Sequence, residues 1–116
     1  MTYTASLVKL NIDERIAALR ADALQRGIPV ADDETLQYLL VMLKACQPKR
    51  ILEIGTAVGL SASAMLFACP NAKITTIELE EERYQEAKKN FKTVNLYENI
   101  RICGFFNCKN LYLKKN

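Results

Sequence analysis

Apolar residues recur every three or four positions in the first part of the chain, which is the period of an amphipathic helix. One such stretch covers residues 12–25 and stops before Pro29. A second begins after Asp32 or Asp33, either of which can cap a helix, and it must end before Pro48. The pattern therefore predicts two helices ahead of the first strand.

From residue 50 onward the pattern changes to short apolar runs separated by helical stretches. Residues 50–54, 73–78 and 99–103 have the apolar or β-branched character of strands, and the first of them ends in a glycine loop, as buried parallel strands often do. Residues 60–69 and 80–92 fit helices between them. This alternation predicts an α/β fold with a parallel sheet and right-handed crossovers.

Composition fits one soluble domain. The chain has 116 residues, 50% of them hydrophobic and 25% charged. No apolar run approaches the roughly 20 residues that span a bilayer, and acids come too early for a secretory signal peptide. We therefore predict a cytoplasmic protein with no membrane contact.

The net charge of +3 belongs to the end of the chain. The last acid is Glu98, and only Arg101, Lys109, Lys114 and Lys115 carry charge beyond it, so residues 1–98 have a net charge of −1. A basic face for nucleic acid is therefore unsupported.

The four cysteines are scattered, with no CxxC pair and no histidine in the chain: Cys46, Cys69, Cys103 and Cys108. Neither a zinc site nor a disulfide framework has its usual spacing. We expect reduced thiols, as is usual in the cytoplasm.

Candidate chemistry lies in residues 51–59, reading ILEIGTAVG. A glycine loop between a parallel strand and a helix brings backbone N–H groups to the carboxyl end of the sheet, where such folds bind ligands. Gly55 permits the turn, and Gly59 lets the helix begin close to a ligand. Glu78 ends the second strand 23 residues after Gly55, near the spacing at which an acid binds a ribose diol. Both features point to one nucleoside.

The spacing of these residues also limits the charge of the ligand. The glycines form GxxxG, which is neither the GxGxxG of most dinucleotide sites nor a phosphate-binding P-loop. Glu53, two residues before Gly55, would repel phosphates and attract a cation or an ammonium group. S-adenosylmethionine carries both a sulfonium and an amino group.

At these residues the chain resembles the S-adenosylmethionine-dependent O-methyltransferases that include caffeoyl-CoA and catechol O-methyltransferases and small bacterial relatives. The resemblance runs from about residue 16 to residue 102 and is carried by IPVADDETLQYLLVMLKACQPKRILEIGTAVGLSA and ITTIELEEERYQEAKKNF. It implies the N-terminal half of a Rossmann-like methyltransferase fold, with three parallel strands and flanking helices.

The resemblance implies seven cofactor-binding residues at the ends of the first two strands and in the loop between them: Glu53, Gly55, Ala57, Gly59, Ser61, Glu78 and Leu79. It places Glu53 and Gly55 by the methionine part and lets Ser61 hydrogen-bond the methionine end. Glu78 would hold the ribose hydroxyls, with Leu79 against the adenine. No catalytic residue and no metal ligand is implied within this chain.

Each assignment has a structural alternative. The two glycines could serve only the turn between strand and helix, Glu78 could be a solvated acid, and Ser61 could cap a helix. Glu53 lies in an apolar strand, where an unpaired carboxylate is costly, so a ligand or hydrogen-bond role is favoured.

The resemblance stops near Gly104, where Phe105 replaces the acid that the family has next, and residues 105–116 match nothing expected there. We expect residues 1–104 to be a partial cofactor-binding domain and residues 105–116 a divergent tail left by a frameshift or premature truncation. Ile51, Leu52 and Ile54 would then lie on an unpaired apolar edge, which predicts self-association.

The predicted function is that of an O-methyltransferase acting on a small-molecule hydroxyl, of which this chain is an N-terminal portion with weak or absent catalysis. A divalent metal is possible in the complete enzyme, but its ligands are missing here. The alternatives are a non-catalytic cofactor-binding remnant or subunit, and, for the acceptor, the tRNA wobble uridine.

Overall fold

A computed structural model describes residues 13–95, 97–104 and 108–110. Its elements, in chain order, are α1 (Glu14–Gln25), α2 (Asp33–Cys46), β1 (Arg50–Ile54), α3 (Leu60–Ala68), β2 (Lys73–Ile77), α4 (Glu81–Thr93), a 3-10 turn (Tyr97–Asn99), β3 (Ile100–Cys103) and β4 (Cys108–Asn110). The predicted α/β fold is confirmed, with three parallel strands and flanking helices.

The first two helices begin at aspartate caps. Asp13 accepts the backbone N–H of Arg15 ahead of α1, and Asp32 accepts that of Thr35 ahead of α2. Of the two candidate caps for α2, the structure thus selects Asp32, and the bond to Thr35 lowers the pKa of that carboxyl. Within the described ranges no helix is long and apolar enough to cross a bilayer.

The strands lie in the order β1-β2-β3-β4. β1 pairs with β2 in parallel, with Ile54 opposite Ile77, and β2 pairs in parallel with β3, with Ile77 opposite Cys103. The carboxyl ends of these three strands therefore lie side by side, and it is beside these ends that ligands bind in open α/β folds.

One face of the sheet is covered by the helices. Strand residues on this face, such as Ile74, Ile100 and Ile102, are fully buried, and they join a core to which all four helices contribute. Successive right-handed crossovers in one direction place their helices on the same face, which explains why the core is one-sided. We call this the covered face.

The opposite side, the open face, carries the alternate residues of the strands. Leu52 is 66% exposed and Ile54 is 74% exposed, and Arg101 is exposed as well. Among the described strands β1 pairs with β2 alone. The predicted exposed edge is thus confirmed for Leu52 and Ile54, whereas Ile51 is half-buried and packs against the core.

The sequence did not predict β4, which pairs antiparallel with β3 and sets Cys108 opposite Cys103. Cys46 and Cys69 are free thiols, as expected, but Cys103 is disulfide-bonded. The expectation of reduced thiols is therefore wrong at Cys103, because it treated the cysteines as scattered along the sequence and could not anticipate a hairpin. The rest of the predicted tail lies outside the described residues.

Candidate cofactor site

The loop between β1 and α3 depends on three residues with positive φ. Gly55 has φ 91°, Gly59 has φ 89° and Ala57, without the freedom of glycine, has φ 49°. The backbone N–H groups of Gly55 and Thr56 both donate to the carbonyl of Ile77, at 2.8 and 3.1 Å. The turn is thus anchored to the end of the neighbouring strand, and it holds a non-glycine residue in a conformation typical of functional loops.

Helix α4 holds the other side of the loop. The Asn90 side chain donates to the carbonyl of Val58 at 2.8 Å. A Cβ atom on Gly59 would lie 2.7 Å from Cε1 of Phe91, so no other residue fits there without moving the ring. Gly59 therefore has a packing role in addition to its turn conformation.

Glu78 fixes the loop from β2. Its Oε1 accepts the backbone N–H of Ala57 at 2.8 Å, and its Oε2 accepts that of Glu80 at 3.0 Å. The reading of Glu78 as a freely solvated acid is thus wrong. A carboxylate has about four acceptor positions, so two N–H bonds leave room for further donors such as a diol.

Glu53 belongs to a buried chain of hydroxyl groups. The Thr76 hydroxyl donates to Oε1 of Glu53 at 2.7 Å, and the hydroxyl oxygens of Thr76 and Thr56 lie 2.6 Å apart. Burial raises the pKa of Glu53 to about 7; the Thr76 hydrogen bond opposes this rise, and the charge of Glu78 adds to it. Of the two roles predicted for Glu53, the hydrogen-bond role is observed, and the ligand role stays a prediction.

A cavity of about 270 Å³ lies beside the loop. It is lined by loop and helix residues, Gly55, Thr56, Ala57, Val58, Leu60 and Ser61, and by the connection between α1 and α2, Pro29, Val30 and Ala31. Arg20 holds that connection by donating to the carbonyl of Ala31 at 2.9 Å and by pairing with Asp33 at 2.6 Å. The cavity is slightly below the 300–1,000 Å³ typical of ligand pockets.

The predicted site residues thus divide into two groups. Gly55, Ala57 and Ser61 line the cavity, whereas Glu53, Gly59, Glu78 and Leu79 do not. Glu53 is connected to the lining residue Thr56 through Thr76, and Glu78 bonds the lining residue Ala57 directly. Leu79 is 64% exposed at the end of β2. The reading of Ser61 as a helix cap is wrong, because α3 is capped by Gly59 without a side-chain bond.

Sequence reasoning missed the lining residues 29–31. The available signal was the segment IPVADD, which lies inside the stretch that carries the family resemblance. For metals, the described part of the chain contains no group of three or more potential ligands.

Solved structures with the same architecture include methyltransferases. A protein from Staphylococcus aureus assigned as a caffeoyl-CoA O-methyltransferase is 32% identical, with a TM-score of 0.76 over 80% of this chain and 44% of its own. The Podospora anserina methyltransferase PaMTH1, solved with S-adenosylhomocysteine, has a TM-score of 0.78 over 88% of this chain and 46% of its own. Because the two sequences are only 19% identical, this similarity shows the fold alone. The class is therefore that of Rossmann-like methyltransferase domains.

The sequence comparisons narrow this class. The family model described as O-methyltransferase matches residues 8–107. A catechol O-methyltransferase from Niastella koreensis is 30% identical over 103 residues, which are 86% of this chain and 46% of that protein. The chain belongs to the O-methyltransferase family and spans about half the length of the relatives it matches.

Proposed function

We propose that the chain binds S-adenosylmethionine at the loop of residues 55–59 and supplies the cofactor half of an O-methyltransferase. The observation that carries the proposal is the pair of carboxylates, Glu53 and Glu78, on either side of this loop, neither of which forms a salt bridge to a described cation. Two uncompensated acids beside a glycine loop suit a cationic ligand with a ribose diol and disfavour a phosphate ligand.

The groups of the cofactor can be assigned to the two acids. Oε1 of Glu53 accepts from Thr76, and among the described residues no donor bonds Oε2, which leaves this oxygen for the ammonium group of the methionine part. Glu78 keeps acceptor positions for the ribose hydroxyls, and the exposed side chain of Leu79 offers an apolar surface to the adenine. The cavity beside Ser61 takes the methionine end. These roles follow from donor and acceptor chemistry and from the family resemblance.

The proposed reaction is transfer of the cofactor's methyl group to a hydroxyl oxygen of a small molecule by in-line displacement, in which the sulfonium leaves as a thioether and the hydroxyl proton is released to solvent. The Niastella relative is a catechol O-methyltransferase, which supports a phenolic hydroxyl as acceptor. This chain spans 46% of that relative, so we propose that it binds cofactor and transfers methyl groups weakly or not at all by itself.

Calorimetry with S-adenosylhomocysteine tests the binding proposal. The parent chain is expected to bind, and Glu78→Ala is expected to lose roughly tenfold or more, because it removes a carboxylate that accepts from both loop and ligand. Gly55→Val should abolish binding, since its φ of 91° strains any side chain. Glu82→Ala, which alters an exposed acid on α4, is the matched control and should bind like the parent. Lack of binding by the parent chain would reject the proposal.

A methyl-transfer assay separates the alternatives. Transfer to catechol by the purified chain would reject the view that it is a non-catalytic cofactor-binding module or subunit. Transfer to tRNA whose wobble uridine carries a hydroxyl on the base, with none to catechol, would favour the wobble-uridine acceptor instead. The body of the domain carries a net charge of −1 up to Glu98, which disfavours that acceptor.

We also propose that the chain self-associates through the edge of β1. Leu52 and Ile54 expose apolar surface on a strand that, among the described strands, pairs on one side only. Light scattering should show species larger than a monomer, and Ile54→Lys should shift them toward the monomer, because a charge on an edge strand opposes pairing. Gln85→Lys, which adds the same charge at an exposed position on α4, is the control for charge alone. A monodisperse parent monomer would refute this proposal.

A further inference from the structure

The polar chain from Glu53 to Thr56 joins two elements that are distant in sequence. Glu53 lies in β1, Thr76 in β2 and Thr56 in the loop, and the consecutive oxygens are 2.7 and 2.6 Å apart. Thr56 is 2% exposed and Thr76 is 0% exposed, so water does not reach either hydroxyl. Buried hydroxyls must be paired within the protein, and these two are paired with each other and with the carboxylate.

The direction of the hydrogen bonds follows from counting protons. A hydroxyl group has one proton, and that of Thr76 is donated to Glu53. When Glu53 is ionised, Thr56 is therefore the donor in the bond between the two threonines. The two donors in series end at Oε1 of the carboxylate, an arrangement that suits its ionised form, and Oε2 takes no part in it.

We propose that Thr56 and Thr76 are positioning residues for cofactor binding: their hydroxyl relay orients the Glu53 carboxylate toward the ammonium group of the ligand and couples its ionisation to the loop of residues 55–59. The inference rests on the proposed function for the identity of the ligand. The relay itself is a property of the free protein. Thr56 transmits the coupling because its side chain bonds Thr76 while its backbone N–H and carbonyl bond Ile77 and Gly59.

The pKa of Glu53 lies close to neutral pH, so the hydrogen bond from Thr76 affects how much of this acid is ionised there. Burial raises the pKa of Glu53 to about 7; the hydrogen bond from Thr76 on β2 lowers it, and the charge of Glu78 at the end of β2 raises it. No described cation pairs with this acid. Loss of the Thr76 bond raises the pKa further, so a smaller fraction of the protein presents a carboxylate to the ligand at neutral pH.

Titration of the free protein tests the relay without any ligand. The carboxyl carbon of Glu53, followed by carbon-13 NMR, should titrate near pH 7 in the parent. Thr76→Val should raise the midpoint of the titration, whereas Thr76→Ser, which keeps the hydroxyl, should have the midpoint of the parent. Thr56→Val should raise the midpoint by less than Thr76→Val does. Thr75→Val, the neighbouring change on the open face, should leave it unchanged. Equal midpoints in Thr76→Val and Thr75→Val would overturn the inference, and Thr56→Val decides the matter if Thr76→Val does not fold.

Binding of S-adenosylhomocysteine supplies the second readout. Its affinity for the parent should rise with pH through about 7, and Thr76→Val should lose roughly tenfold or more at neutral pH while Thr76→Ser does not. Binding of 5′-methylthioadenosine, which lacks the amino group, should not respond to Thr76→Val. If the parent binds neither compound, the proposed function is rejected, and the titration of Glu53, which needs no ligand, still tests the relay. If the parent binds both and Thr76→Val weakens both equally, the relay inference fails alone.

Discussion

The two faces of the sheet are built from alternate residues of the same strands, yet they differ in almost every respect. On the covered face, Ile74 and Thr76 are fully buried beneath the helices, and each polar atom of the relay has a partner. On the open face, Leu52 is mostly exposed and Arg101 reaches solvent. Strand propensity alone therefore does not indicate where stability resides, because both faces carry β-branched or apolar residues and only one is packed.

The largest expected difference comes from truncating one residue on each face. Ile74→Ala should lower the free energy of unfolding by about 2–5 kcal/mol, since it leaves a cavity in the core. Leu52→Ala should cost less than about 1 kcal/mol, because most of that side chain is already in water. Urea unfolding measures both. Similar losses would show that the open face is covered in solution, and repeating the experiment at several protein concentrations would reveal whether another copy covers it.

The two loop glycines should differ in how much stability is lost when each is replaced by alanine. Gly59→Ala should destabilise by about 3 kcal/mol or more, because it combines an unfavourable φ with a clash against Phe91. Gly55→Ala meets nothing within 4 Å and should cost only the conformational strain, about 1–2 kcal/mol. Thermal melts of the two variants provide the test. A larger loss for Gly55→Ala would contradict the described packing of the loop on α4.

A smaller effect is expected from the acid on the covered face. The pKa of Glu53 rises from 4.5 to about 7 on folding, so the native state binds the proton more tightly than the unfolded state. The free energy of unfolding therefore falls as the pH rises from about 4.5 through 7, and the loss is complete above that range. Glu53→Gln should remove this slope and stabilise the free protein at alkaline pH, where the parent carries a buried charge.

The control for this measurement of stability against pH is Glu82→Gln, which removes an exposed acid on α4. It should retain the parent's pH dependence. A parent chain whose stability does not change between acid and neutral pH would contradict the assigned environment of Glu53.

Much of this architecture could be predicted from local patterns. The run of residues 50–54 is the observed β1, and the helix predicted over residues 80–92 is observed at Glu81–Thr93. Such elements are encoded by periodicity and by caps such as Asp32, which act within a few residues. The strand β4 was missed because Cys108–Asn110 has only three residues and owes its conformation to pairing with β3.

Of the candidate site, the sequence allowed only the acidic residues and the glycines to be predicted. Glu53, Gly55 and Glu78 stand out because acids and glycines are unusual beside an apolar strand. The partnership of Thr56 with Thr76 spans 20 residues and depends on strand register, which a single sequence does not specify. One signal was nonetheless available: Thr76 lies two positions after Ile74, so it shares a buried face and its hydroxyl requires a partner.

The bonds that hold the loop have a kinetic consequence. Glu78 and Asn90 already bond the backbone of Ala57 and Val58 in the free protein, so we expect the proposed cofactor to bind without rearrangement of the loop. Association with a preformed loop is limited by diffusion and orientation, and changes in affinity appear mainly in how long the ligand stays. Variants that loosen the loop, such as Asn90→Ala, should therefore shorten the residence time of the proposed cofactor more than they slow its arrival.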